Sequence, residues 1–301
     1  ITDIKIGTIY GTSSFTANGS ISGIITNVTM GDITNNGFYA YTDISGSISN
    51  ILMGNVPTGR SFQVNNDISG TITNIIMGDV LGEYAFYAGS NISGSIRDII
   101  IGSVSNTFFS VNEISGSINS VIMGNVTNRA FWTGGNMSGI ISDVKMGNVT
   151  DYAFYIDNSL SGIINNIIIG NAQSVFRSNS SISGTITNII IGDISQYVFY
   201  VFGSGDISGK ICNITIGNVY RAFKSYNISG EITNIIIGEV NNAAFYSSNS
   251  ISGKISDVKM NGVYNAFICD NLLSGTITNI TMGTVSNYAF YVTGGDLLGS
   301  I

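Results

Sequence analysis

The stretch Ile68-Ser69-Gly70-Thr71-Ile72-Thr73-Asn74-Ile75-Ile76-Met77-Gly78-Asp79-Val80 decides the fold of this chain, because it recurs with few changes along the whole sequence. Copies begin at Ile21, Ile44, Ile68, Ile92, Ile114, Met137, Leu160, Ile182, Ile207, Ile228, Ile251 and Leu273, at spacings of 21 to 25 residues. A half copy precedes them from Ile1 and a stub follows from Leu297. Repeats of this length are units that cannot bury a face alone and must stack on their neighbours.

Taking the first Ile of a copy as position one, the Val at position thirteen follows at a fixed interval in every copy. From that Val to the next Phe the interval varies from four to six residues, and from Phe to the next copy it is usually six. Length changes thus gather in one loop, as they must when coils stack and strand register cannot slip. Positions five, eight, ten and thirteen (Ile72, Ile75, Met77, Val80) are apolar, with β-branched residues dominating, which is a strand composition. The step of three from five to eight breaks the period of two. A corner therefore falls on position seven, held by Asn27, Asn50, Asn74, Asn166, Asn188, Asn213, Asn234 and Asn279. Asn tolerates left-handed backbone and can bond to its counterparts above and below, so an asparagine ladder is expected.

Asp occupies the same position at Asp3, Asp98, Asp143 and Asp257, each with Lys5, Arg97, Lys145 or Lys259 within two residues. A sheltered carboxylate needs a compensating charge, so the expectation is that position seven is partly buried. Gly at positions three and eleven is read as corner glycine at positive φ. An unbroken Phe column, including Phe86, Phe108, Phe131, Phe154, Phe176 and Phe199, is expected to stack inward, with the following residue (Tyr87, Trp132, Tyr155) facing out.

These features predict an all-β, single-domain parallel β-solenoid, three-sided, of about 13 coils, with a partial coil 1–20, full coils 21–296 and a stub 297–301. The repeat length and Asn ladder resemble the right-handed parallel β-helix of the pectate-lyase-like superfamily. The resemblance implies right-handed winding. It also implies where activity would lie, since the family's lyases and hydrolases use clustered carboxylates, with Arg or Lys and sometimes calcium, on one face. No such cluster stands out here.

Composition narrows the function further. The chain has 301 residues, 44 % apolar and 10 % charged, with 38 Gly, 1 Pro, no His and a net charge of −7. Low charge with high apolar content excludes a disordered chain. Without a basic run, nucleic acid is not an expected partner. Without His, the Ser–His–Asp and Cys–His arrangements and HExxH zinc sites are excluded. No apolar run reaches the ~18 residues of a membrane helix, so no membrane insertion is expected. Cys212 and Cys269 lie about two coils apart, too far for a disulfide. The first residue is Ile, with no signal peptide, which suggests a mature product or a fragment.

Candidate sites are columns. Asp43, Asp67, Asn91, Glu113 and Asn136 put oxygen ligands on consecutive coils, a weak candidate Ca²⁺ site, since turn capping is the simpler explanation of them. Otherwise no cofactor is expected. Thr71/Thr73, Thr185/Thr187 and Thr276/Thr278 form a broken threonine array of the kind ice-binding solenoids present, while Lys210, Glu231 and Lys254 alternate in sign. Tyr87, Trp132 and Tyr155 are candidates for stacking on carbohydrate. Of the Asn-x-Ser/Thr sequons, Asn91, Asn136 and Asn227 are expected at exposed corners, and Asn27, Asn213 and Asn279 in the ladder.

The ends also invite pairing, because Leu297-Leu298-Gly299-Ser300 followed by Ile1 through Gly7, with Ile4 and Ile6, would recreate a whole repeat, Ile301 stopping at the position five where Ile1 begins. The expectation is a non-enzymatic, extracellular or surface-exposed structural protein of cell or virion, polymerising head to tail. The alternatives are a segment of a carbohydrate-binding adhesin or tail-fibre spike, and an ice-binding protein.

Overall fold

The computed structural model describes residues 1–11 and 13–301, and among them there are 25 β-strands and no helix. All strand pairings within the repeat are parallel, and the chain winds as a β-solenoid of about 13 turns. It comprises two compact units, Ile1–Thr150 and Asp151–Ile301, each built by the same rules.

In the first unit, the strand Ile24–Met30 pairs with Ser47–Met53 with Ile25 on Ile48, Val28 on Ile51 and Met30 on Met53. The same register continues through Thr71–Met77, Ser95–Ile101 and Ser117–Met123. A second, short strand carries the Phe column: Phe38–Ala40, Phe62–Val64, Phe86–Ala88 and Phe108–Ser110 pair in turn. Single bridges join position one to position one (Ile44 to Ile68) and thirteen to thirteen (Val56 to Val80). Each residue of the repeat therefore meets its own counterpart. In the second unit, Ile163–Ile169, Thr185–Ile191, Lys210–Ile216 and Glu231–Ile251 repeat this register. The variable Val-to-Phe interval is absorbed as bulges between Ile194 and Tyr197, and between Val240 and Ala243. Inserted residues leave the strands on either side in step.

The core is the predicted set. Ile72, Ile75 and Val80 are fully buried, as is every Phe of the column from Phe38 to Phe267. Ring centroids lie 4.8 to 5.0 Å apart from Phe15 to Phe131 in the first unit, with the ring planes nearly parallel. From Phe154 to Phe290 in the second they lie 4.7 to 5.0 Å apart. Isolated rings prefer an offset or edge contact. Here the strand spacing of ~4.8 Å sets the centroid separation, which lies within the range of offset-stacked rings.

The corner is where expected, with a different environment. Thirteen non-glycine residues have φ between 53° and 59°, and all of them stand at position seven, Ser120 and the four Asp included. The amides form ladders: Asn50 Nδ2 donates to Asn27 Oδ1 at 3.0 Å, Asn74 to Asn50 at 2.7 Å, and in the second unit Asn234 to Asn213 at 2.8 Å. Yet these side chains are exposed, which overturns the sheltered position inferred from the Asp–basic pairs. Left-handed φ tips the side chain out of the corner into solvent, so nothing there needs charge neutralisation. Arg97 does bridge Asp98 at 2.8 Å, but both are about half exposed. Asp257 instead accepts from Asn279 and Ser256, and these bonds hold its carboxyl below the usual carboxylate range.

The glycine expectation also fails. Among the described residues only Gly11 and Gly203 have positive φ, and neither belongs to position three or eleven. The repeat glycines are there for closeness. A Cβ on Gly70 would lie 2.1 Å from the carbonyl oxygen of Gly46, and one on Gly78 would lie 2.4 Å from Asn55 Oδ1. At these two points the coils touch backbone to backbone or backbone to side chain, and no side chain fits between them.

Candidate functional site

Strand alternation turns the residue after each inward Phe outward. The bulge before Phe turns out the residue two places earlier as well. Two outward columns therefore flank the buried Phe stack. In the first unit they carry Tyr84, Tyr87, Phe109 and Trp132, with Tyr84 to Phe109 at 5.0 Å and Phe109 to Trp132 at 4.4 Å. The Arg60 guanidinium lies 3.9 Å above the Tyr87 ring and pairs with Glu83, and Arg129 lies 4.2 Å above Trp132. Burial pushes the Tyr84 phenol above its usual pKa, with Arg60 opposing.

The second unit is more regular. The column following Phe reads Tyr155, Arg177, Tyr200, Lys224, Tyr246, with Arg177 beside Tyr200, Tyr200 beside Lys224 and Lys224 beside Tyr246 in strand register. Arg177 lies 4.8 Å from the Tyr155 ring, Lys224 Nζ 4.7 Å from Tyr200, and Arg221, from the neighbouring column, 4.9 Å from Tyr246. Cations and rings thus alternate up the stack, each contact being worth ~0.5–1 kcal/mol where exposed. Arg177 donates to the Tyr152 hydroxyl at 3.2 Å while its Nε is buried with no acceptor. Arg221 Nε donates to Asn242 Oδ1 at 2.9 Å. Among the described residues, Arg177, Arg221 and Lys224 have no carboxylate within ion-pair reach. Burial, together with the Arg221 charge, lowers the Lys224 pKa, and burial raises that of Tyr200. The face offers flat apolar rings beside N–H donors, which suits stacking and hydrogen bonding to a ligand with alternating apolar and polar surfaces.

Tyr87 and Trp132 belong to the columns of the first unit, and Tyr155 to those of the second. The basic residues on these columns, Arg60 and Arg129 in the first unit and Arg177, Arg221 and Lys224 in the second, are outside the expected site residues. They all fall two before or one after a Phe, which aligning the copies on Phe rather than on the first Ile would have exposed.

The other candidates lie apart from it. Asp43 and Asp67 spend an oxygen on the backbone N–H one coil up, Asp67 N to Asp43 Oδ1 at 3.1 Å and Asn91 N to Asp67 Oδ1 at 2.8 Å, and Glu113 accepts from Ser138. No three His, Cys, Asp or Glu among the described residues are placed to hold a metal ion. A second ladder of this kind at position twelve was unforeseen: Asp79 N donates to Asn55 Oδ1 at 2.9 Å and Ser103 N to Asp79 Oδ1 at 2.8 Å. The Thr71/Thr73 and Thr185/Thr187 pairs are half-buried, and Lys254 bridges Glu231 at 3.1 Å. The sequon expectation is reversed in part: Asn91, Asn136 and Asn227 are half-buried, whereas Asn27, Asn213 and Asn279 are exposed. Cys212 and Cys269 are free thiols, and burial raises the Cys269 pKa. Ile4 and Ile6 are half-buried beside Val28 and Met30, while Ile1, Leu297, Leu298 and Ile301 are exposed.

Comparison with protein-family models, with characterised proteins and with solved structures finds no match to this chain.

Proposed function

We propose that this chain is a non-enzymatic structural solenoid of an extracellular or surface-exposed fibre, and that its aromatic face binds carbohydrate. The observation that carries the proposal is the ladder Tyr155–Arg177–Tyr200–Lys224–Tyr246, where half-buried rings alternate with cations that have no ion-pair partner among the described residues. Sugar rings present apolar C–H faces and hydroxyl edges at intervals close to a strand spacing. A column of rings and donors repeated every coil matches both features at several points along one polysaccharide chain, so weak contacts add. The residues on this face lack a nucleophile–base pair, so the proposal is recognition without turnover.

Affinity electrophoresis and calorimetry against a panel of polysaccharides test this. Binding to at least one is expected, and Trp132→Ala, Tyr155→Ala and Tyr200→Ala should weaken it about tenfold each, with circular dichroism unchanged. No binding across the panel, or binding that survives all three substitutions together, would remove the carbohydrate role.

A further inference from the structure

A different face of the first unit carries a ridge. At position nine, Lys5, Thr29, Leu52, Ile76, Ile100, Ile122 and Lys145 follow one another coil by coil in strand register. Leu52, Ile76, Ile100 and Ile122 keep 49, 44, 46 and 51 % of their surface open to solvent. Four adjacent large aliphatics standing in water in one row is an interaction surface rather than scattered exposure. Beside the ridge, position eleven is glycine in every coil of the unit: Gly7, Gly31, Gly54, Gly78, Gly102, Gly124 and Gly147. Position twelve beyond it is polar and, except at the half-buried Ser103, exposed. The face therefore has a ridge, a furrow and a polar rim, all with the same vertical period.

We propose that this face binds the same face of a second copy of the chain, ridge into furrow, about a two-fold axis running along the stacking direction. Shape favours that occupant. A two-fold axis lying over position ten carries position nine of one copy onto position eleven of the other. Ile76 then sits against Gly78, and Ile100 against Gly102, with their coil spacings matched without adjustment. Charge favours it too. The ridge column holds Lys5 and Lys145 and no acid, whereas the rim column holds Asp32 and Asp79 and no base. The packing brings the cationic column of each copy to the anionic column of the other, Lys5 arriving within one coil of Asp32. Area is sufficient: six residues by seven coils cover roughly 650 Å² per copy, so about 1,300 Å² in all, inside the range of specific interfaces. The carbohydrate-binding face takes no part in this contact, and either proposal can fail without the other.

Sedimentation velocity over a wide concentration range, with no polysaccharide present, is the test. The wild-type chain is expected to pass from monomer to dimer. The variant carrying Leu52→Thr, Ile76→Thr, Ile100→Thr and Ile122→Thr should raise the dimer dissociation constant by roughly a hundredfold or more. Threonine is native to this column at Thr29, so the variant strands should form, and an unchanged thermal midpoint checks that they do. A wild-type chain that stays monomeric throughout overturns the proposal, as does a folded variant that dimerises like the wild type. A monomer that instead takes up a glycan or a vesicle through this ridge overturns it as well.

Discussion

An exposed surface residue normally changes stability by no more than ~0.5 kcal/mol when replaced. Asn50 should break that rule, and by an amount that separates its two roles. It holds φ at 55°, donates to Asn27 Oδ1 at 3.0 Å, and accepts from Asn74 Nδ2 at 2.7 Å. Both bonds are exposed, so each is worth about 0.5 kcal/mol, the lower end of the usual range. Left-handed backbone costs an ordinary L-residue roughly 1–2 kcal/mol, and glycine almost nothing, although glycine's freer unfolded chain returns about 0.5–1 kcal/mol of that advantage. Asn50→Ala should therefore lose about 2–3 kcal/mol, and Asn50→Gly about 1.5–2 kcal/mol. Asn50→Asp keeps its tolerance of the corner and the bond from Asn74, and should lose only about 0.5 kcal/mol at neutral pH.

Urea unfolding followed by the fluorescence of Trp132, which lies in the same compact unit, measures these differences. The order of the three variants is the decisive result. Alanine at least as stable as glycine would mean that the corner conformation is not what selects Asn. Losses below ~0.5 kcal/mol for all three would mean that the ladder is ornamental and that strand pairing alone fixes the corner.

Two further predictions use other parts of the repeat. Gly70→Ala places a Cβ 2.1 Å from the Gly46 carbonyl oxygen, where backbone must move, and should cost about 3–5 kcal/mol by the same urea assay; Gly19→Ala, with open space around it, should be close to neutral. The Cys269 thiol has its pKa raised by burial, so the folded state holds that proton more tightly than the unfolded chain. Its stabilising contribution is complete below the ordinary thiol pKa of ~8.5 and is lost as pH climbs through and above that value, so Cys269→Ala should flatten the stability profile between about pH 8 and 10.

Much of this architecture is readable in the sequence, and the failures have physical causes. The fixed interval from Ile68 to Val80 and the break of period at Asn74 give the coil and its corner, since both follow from strand geometry alone. Gly70 and Gly78 were misassigned because a conserved place for glycine has two sufficient causes, positive φ and close approach. One coil's letters cannot tell them apart, because the clashing atom belongs to Gly46 or Asn55 in another coil. The exposure of position seven was missed for a related reason. Asp98 beside Arg97 looks like charge compensation, but the pair is equally consistent with a solvated surface bridge. The ridge at Ile76 was hidden by its neighbours: Ile75-Ile76-Met77 reads as a strand buried on both faces, and only the register shows that the middle residue faces water.

The cationic face raises the sharper point about function. Arg177, Arg221 and Lys224 stand among tyrosines although the chain carries a net charge of −7 and only 11 basic residues in all. Structure does not demand them there. Equivalent positions hold Ile268 and Ala243, in coils with the same strand register. Charge that packing does not require, desolvated enough to lower the Lys224 pKa and without a carboxylate partner among the described residues, costs stability to keep. The ring contacts recover part of that cost but leave Arg177 Nε without an acceptor. A ligand that supplies oxygen acceptors between the rings would settle both shortfalls, and this is why the binding role is proposed for this column rather than for the acidic one at Asp43 and Asp67, whose oxygens already serve the backbone of the next coil.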